Sequence, residues 1–182
     1  IDAPREQLPW VKRCVDITQE WWDELKDVTR IKLIEGMKRG DIWLNKVKYD
    51  KEGERIYGNV CLEVYLRSRG TCLLQHINLA ACEFDTINTA FVQGMQELCL
   101  LHARTGVDNS GEYLSPETDR QVGLGMLGLA NLLRRYGITY KQFGDGLEQY
   151  VNGEVKASPA YELAKCLAEG IDAAAAVARA HR

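Results

Sequence analysis

Gly58-Asn59-Val60-Cys61-Leu62-Glu63-Val64 sets an amide, a thiol and a carboxylate at alternate positions, and a second thiol follows in Arg69-Gly70-Thr71-Cys72-Leu73-Leu74. In an extended chain successive side chains point to opposite faces, so Asn59, Cys61 and Glu63 are expected to share one face of a strand. Such a face suits an apolar core poorly, because a buried amide or carboxylate must find a partner. A polar, substrate-filled cavity explains it better, and the three groups together fit hydrogen-atom or proton chemistry on one small substrate. The competing reading makes Cys61 and Cys72 two core residues of a hairpin, and the polar neighbours of Cys61 argue against it.

Working outward, 56–66 and 72–80 are rich in β-branched and apolar residues, with Arg67-Ser68-Arg69-Gly70 between them. This predicts two extended segments joined by a tight connection. Upstream, 1–17 read as an incoming loop. Thr18 caps a helix running to about Lys38, with Trp21, Trp22, Leu25, Val28 and Ile31 on one side and Gly36 and Gly40 marking its end. Asp41-Ile42-Trp43-Leu44 reads as a short strand and Asp50-Lys51-Glu52-Gly53-Glu54 as a polar turn. Downstream, Asp85 or Thr86 starts a helix with the stripe Ile87, Phe91, Met95, Leu98 and Leu101. After a polar loop over 104–114, Ser115-Pro116-Glu117 signals a helix through Leu124, Leu127, Leu129 and Leu133 to Gly137. Ser158-Pro159 starts a last, alanine-rich helix ending near Arg179. No internal repeat and no clear domain boundary interrupts this order.

The 182 residues suffice for one domain with a real core. A net charge of -3, without a long basic run, disfavours nucleic-acid binding through phosphate contacts. No apolar run approaches the ~18 residues needed to cross a bilayer, and the first residues carry no signal-peptide pattern. The chain therefore reads as cytoplasmic, with no membrane partner and its thiols reduced. The chain does not begin with Met, so a processed or excised piece is expected. None of the six cysteines forms a C-x-x-C pair and the three histidines are scattered, which disfavours a zinc site, so no metal ligands are assigned. Cys82, Cys99 and Cys166 lie in apolar or helical stretches and read as buried, inert thiols. Cys14, after Lys12-Arg13, reads the same way. Gly123-Leu124-Gly125-Met126-Leu127-Gly128 matches G-x-G-x-x-G in form, but it falls in the expected helix. Close packing of that helix accounts for its glycines better than a dinucleotide does.

Three segments, in order and at matching spacing across about 56–140, resemble the catalytic subunit of ribonucleotide reductases. Asn59-Val60-Cys61-Leu62-Glu63 is similar to that family's Asn-Pro-Cys-x-Glu finger loop, placed here at about 56–66. Arg69-Gly70-Thr71-Cys72 and Ile77-Asn78-Leu79-Ala80 resemble its second cysteine segment and the strand after it. Arg120-Gln121-Val122-Gly123-Leu124-Gly125-Met126-Leu127-Gly128-Leu129-Ala130 is similar to its Arg-x-x-Gly-Leu-Gly-x-x-Gly-Leu-Ala helix. Val60 stands where the family usually has Pro, Leu62 where Gly or Ser is common, and Leu73-Leu74-Gln75-His76 where Asn-Leu-Gly-Ser is usual.

The resemblance implies an α/β fold, part of a ten-stranded α/β barrel with a central finger loop. It implies that Cys61 becomes the thiyl radical taking the 3′ hydrogen of a ribonucleotide. Glu63 would remove the 3′-hydroxyl proton, Asn59 would hydrogen-bond the substrate hydroxyls, and Cys72 would be one of two cysteines that end as a disulfide. The short Cys61-to-Cys72 spacing looks like the adenosylcobalamin-dependent class, the alternative being a metal-containing small subunit that generates the radical. The chain would be the middle of the barrel, residues 1–182 forming a single fragment. It would be completed by flanking segments or a complementary chain, re-reduced by an external thiol, and open to forming a homodimer. Two further readings stand beside it: a non-catalytic relic that keeps the fold, and an unrelated thiol oxidoreductase using Cys61 and Cys72 as a redox pair.

Overall fold

The computed structural model describes residues 13–45, 47–59, 61–104 and 112–181. The chain is mixed α/β with small sheets and divides into two compact units, Ile1–Gly70 and Thr71–Arg182. The expected loops over 1–12 and 105–111, and Val60 at the loop tip, lie outside the described residues.

In the first unit β1 (Arg13–Asp16) pairs in parallel with β2 (Ile42–Asn45), from Arg13↔Ile42 to Asp16↔Asn45. The sequence reading places 13–16 in a loop; four residues are too few for alternation to declare a strand. Parallel strands need a crossover, and two helices supply it. The single helix expected over 18–38 is broken into α1 (Gln19–Glu24) and α2 (Asp27–Arg39), with Leu25 and Lys26 extended. Thr18 caps α1, its Oγ1 accepting from the Trp21 N–H at 3.2 Å. The Arg30 guanidinium donates to the carbonyls of Trp22 (3.1 Å) and Asp23 (2.9 Å), so it satisfies the end of α1 that a continuous helix would have satisfied. Gly40, in the left-handed region at φ 76°, ends α2 as expected. Gly36 is instead interior: a Cβ there would lie 2.5 Å from Ile42 Cδ1, so its bareness lets α2 meet β2.

The antiparallel set β3 (Lys48–Tyr49), β4 (Arg55–Gly58) and β5 (Tyr65–Leu66) follows. The polar turn at 50–54 forms as expected, with Asp50 Oδ1 accepting from the Glu52 and Glu54 N–H groups. The expected extended run over 56–66 is not continuous. It folds back on itself, with Tyr57↔Leu66 and Gly58↔Tyr65 in register.

The second unit is built on a β-α-β element. β6 (Cys72–Asn78) leads through a short 3-10 turn (Leu79–Ala81) into α3 (Ile87–Ala103), and β7 (Gln121–Leu127) returns parallel to β6 from Cys72↔Gln121 to Asn78↔Leu127. This corrects the helix expected from Ser115. Ser115 and Pro116 make only a turn, the Ser115 carbonyl accepting from the N–H groups of Thr118 and Asp119. Gly123 and Gly125 therefore lie in a strand, not a helix. Added Cβ atoms would stand 2.5 Å from Leu74 Cδ2 and 2.7 Å from His76 Cδ2, so tertiary contact, not helix packing, explains both glycines.

Gly128, at φ 77°, turns the chain into α4 (Leu129–Arg135). Gly137 (φ 66°) ends that region, and α5 (Tyr140–Val151) opens on a Thr139–Gln142 capping box that the sequence reading passes over. α6 (Pro159–Ala180) starts on Ser158 as expected. Its Gly170 lies against Phe91, and Gly146 of α5 lies against the backbone at Ala160, where a Cβ would come within 2.9 Å of the carbonyl carbon. The core includes Ile87, Phe91, Leu98, Leu132, Leu133 and Leu163, with Leu79 of the 3-10 turn. The α3 stripe runs 87, 91, 95, 98 and then 102. His102 is buried while Leu101 is 56% exposed, because three-four spacing carries the face past Leu101. No helix among the described residues is long and apolar enough to cross a membrane.

Candidate functional site

The hairpin tip between β4 and β5 carries the residues picked out by sequence. The Asn59 N–H donates to the Val64 carbonyl at 3.2 Å and the Leu62 N–H to the Asn59 carbonyl at 3.1 Å, which curls 59–64 into a tight loop. Leu62 sits at φ 63°, left-handed backbone that a side-chain-bearing residue enters at a cost. The family pattern commonly carries Gly or Ser at this position. Asn59, Cys61 and Glu63 therefore do not line one face of a strand. The loop joins two of them: Asn59 Nδ2 donates to Glu63 Oε1, four residues on, and Cys61, between them in sequence, is exposed. The amide is thus oriented by the carboxylate, and the Asn59 Oδ1 is shielded from solvent with no hydrogen-bond partner among the described residues.

The base of the same hairpin holds a polar chain that sequence reasoning missed. Asn45 Nδ2 donates to Asp16 Oδ1 at 2.7 Å, Arg55 pairs with the other Asp16 oxygen, and the Tyr65 hydroxyl reaches Asn45 Oδ1 at 3.4 Å. A signal was present: Asp16 and Asn45 each close a short apolar run, and the carboxyl ends of parallel strands are where α/β proteins place polar function.

Cys72 belongs to the second unit. It is half-buried, opens β6 and is in register with Gln121. The two segments that resemble the family downstream meet at Gly128. Asn78 Oδ1 accepts from the Ala80 N–H at 3.2 Å, and a Cβ on Gly128 would lie 2.8 Å from that oxygen and 2.9 Å from the Ala80 nitrogen. Only glycine fits there. Arg135 completes the junction, donating to the carbonyls of Cys82 (2.9 Å) and Ala80 and to Glu83 Oε1 (2.8 Å).

The other thiols divide by environment. Burial pushes the Cys82 thiol up against the opposing pull of Arg135, and burial likewise raises Cys99 and Cys166, while Cys14 is exposed. None of the six cysteines is bonded to another. Among the described residues no three His, Cys, Asp or Glu side chains gather to hold a metal ion. No family model matches the chain, and no curated protein matches it at a significant level.

Proposed function

We propose that this chain is the central part of a ribonucleotide reductase catalytic subunit and that the β4–β5 tip carries its radical chemistry. The observation that carries the reading is the tip itself: an exposed cysteine that lies in sequence between an asparagine and a glutamate hydrogen-bonded to each other. Further support comes from Gly128, where the second and third resembling segments fit against one another as one structural unit.

The chemistry follows from the groups. A thiol is a good hydrogen-atom shuttle because its S–H bond is weaker than most C–H bonds. As a thiyl radical, Cys61 takes the hydrogen from C3′ of the ribose and becomes a thiol. Glu63 takes the 3′-hydroxyl proton as general base while the 2′-hydroxyl leaves as water, the proton for that water coming from a redox thiol. Asn59, at the position of the resembling motif's amide, hydrogen-bonds the substrate hydroxyls. Cys72 and a second cysteine supply two electrons and become a disulfide, and Cys61 returns the hydrogen to C3′. The balance is a ribonucleotide and two thiols giving a deoxyribonucleotide, a disulfide and water. An external thiol then re-reduces the disulfide. Holding Asn59, Cys61 and Glu63 in reacting geometry supplies much of the rate.

Forming the Cys61 radical exceeds what side chains can do alone. Cys61 is exposed at a loop tip, so a radical source can approach its sulfur from outside the hairpin. Adenosylcobalamin would supply the one-electron oxidation there, and a metal-containing partner subunit is the alternative source.

The barrel is the fold this reading requires. The parallel pairs β1–β2 and β6–β7 are each two strands wide, and parallel sheets are normally wider and covered on both faces. Leu74, Met126 and Leu127 on the second pair are exposed. Further strands from flanking sequence or a complementary chain would extend these sheets.

The test uses the protein as its gene encodes it, with ribonucleoside di- and triphosphates, adenosylcobalamin and a dithiol. Cofactor-dependent deoxynucleotide formation is expected, with Cys61→Ala abolishing turnover and leaving nucleotide binding largely intact. Deoxynucleotide formation by Cys61→Ala contradicts the radical assignment. An inactive wild type that still binds nucleotide supports the relic reading instead.

A further inference from the structure

Asn45 meets the β4–β5 hairpin at Tyr65, the residue that follows the loop. It ends β2 and is in register with Asp16, which ends β1. Its amide nitrogen donates to Asp16 Oδ1 at 2.7 Å, and that carboxylate is held from its other oxygen by Arg55 of β4. The carbonyl oxygen of the Asn45 side chain faces the other way. It receives the Tyr65 hydroxyl at 3.4 Å, and the position of a Cβ on Gly58 would lie 3.4 Å from it. Gly58 and Tyr65 are partners in the last rung of the hairpin before the loop that carries Asn59, Cys61 and Glu63. Lys48 adds a cation over the Tyr65 ring at 4.1 Å, which pins the ring from β3. A Cβ on Gly58 would stand 2.7 Å from Leu62 Cδ2, so a side chain there would push on the residue whose left-handed backbone closes the loop.

One asparagine therefore reaches the last rung through the Tyr65 hydroxyl while being oriented by a carboxylate on the parallel sheet. A six-residue tip on two strands that pair over only two rungs is floppy by itself. Its direction must be set by whatever holds the final rung. We propose that Asn45, oriented by Asp16, is a positioning residue for the β4–β5 tip: it fixes the Gly58–Tyr65 rung and so the direction in which Cys61 and Glu63 meet substrate. The proposal rests on the reductase reading for its kinetic consequence and on geometry alone for its structural one.

The experiment reads both, in the protein as encoded. Asn45→Ala and Tyr65→Phe are compared with wild type by hydrogen–deuterium exchange of peptides covering 58–66 and by steady-state ribonucleotide reduction. Tyr65→Phe keeps the ring and its Lys48 contact, so it removes the hydroxyl without emptying the site. Exchange in 58–66 should quicken several-fold in both variants while the α3 and α6 peptides stay protected. For Asn45→Ala, kcat should fall on the order of 10²-fold, the usual cost of about 1 Å of misplacement, with KM unchanged. Asp16→Ala combined with Asn45→Ala should lose little more than either alone, because both break the same clamp. Unaltered exchange at 58–66 overturns the proposal, as does quickened exchange spread over the whole chain, which would mean a general loss of fold. Quickened exchange confined to 58–66 in a protein whose wild type makes no deoxynucleotide upholds the clamp and removes the reductase reading.

Discussion

At the residue scale, two positions show how context decides what a residue does. Gly128 combines a left-handed backbone with a Cβ position already filled by Asn78 Oδ1 and the Ala80 nitrogen. Gly128→Ala should therefore cost about 1–3 kcal/mol, read as a lowered denaturation midpoint with an unchanged slope. The cysteines differ by surroundings. Burial raises the Cys82, Cys99 and Cys166 thiols, so at pH 8 each holds less thiolate than an ordinary thiol, and thiolate is the reactive form. Peptide-mapped alkylation should modify the exposed Cys14 and Cys61 first and the other three slowly, the gap narrowing as pH rises toward their raised values. Equal rates at pH 8 contradict this ordering. The candidate residues Asn59, Cys61 and Glu63 were legible from side-chain chemistry alone. How they meet was not, because alternation assumes an extended chain, whereas Leu62 takes a left-handed backbone that no local pattern announces.

Among the elements, those with a chemical punctuation mark were readable and those defined by contact were not. Thr18, Gly40 and Ser158 each act where the sequence places them. Ser158 Oγ accepts from the Tyr161 N–H at 3.1 Å, so Ser158→Ala should lower stability by about 1 kcal/mol, measurable by chemical denaturation, with Ser158→Asp restoring most of it. Ser115-Pro116 carries the same signature and starts no helix. The segment after it pairs with β6, whose Leu74 and His76 side chains lie over the bare positions opposite them at Gly123 and Gly125. Tertiary pairing overrides a local start signal there, and glycines that would weaken a helix are what this strand requires. The break between α1 and α2 was hidden for a related reason. It depends on Arg30 reaching back to carbonyls at Trp22 and Asp23, a contact across seven or eight residues that apolar periodicity does not register.

For the whole molecule, the mixed α/β character was legible because helix stripes and short apolar strands alternate along the chain. The division at Gly70 was not, since Arg67-Ser68-Arg69-Gly70 reads equally well as a hairpin connection. The narrow parallel pairs and the exposed Leu74, Met126 and Leu127 give a testable consequence of the barrel proposal. Binding of an apolar dye to the 182-residue chain should drop when flanking segments or a complementary chain are supplied, as the open sheet edges are covered. The central claim is that Cys61 and Cys72 have separate tasks, one exchanging a hydrogen atom with C3′ and the other supplying electrons. The most direct test is release of tritium from a [3′-³H]ribonucleotide by the full protein, compared across wild type, Cys61→Ala and Cys72→Ser. The account predicts release by the wild type and by Cys72→Ser, the latter without normal deoxynucleotide, and none by Cys61→Ala. Release that survives Cys61→Ala, or that vanishes equally in Cys72→Ser, contradicts it.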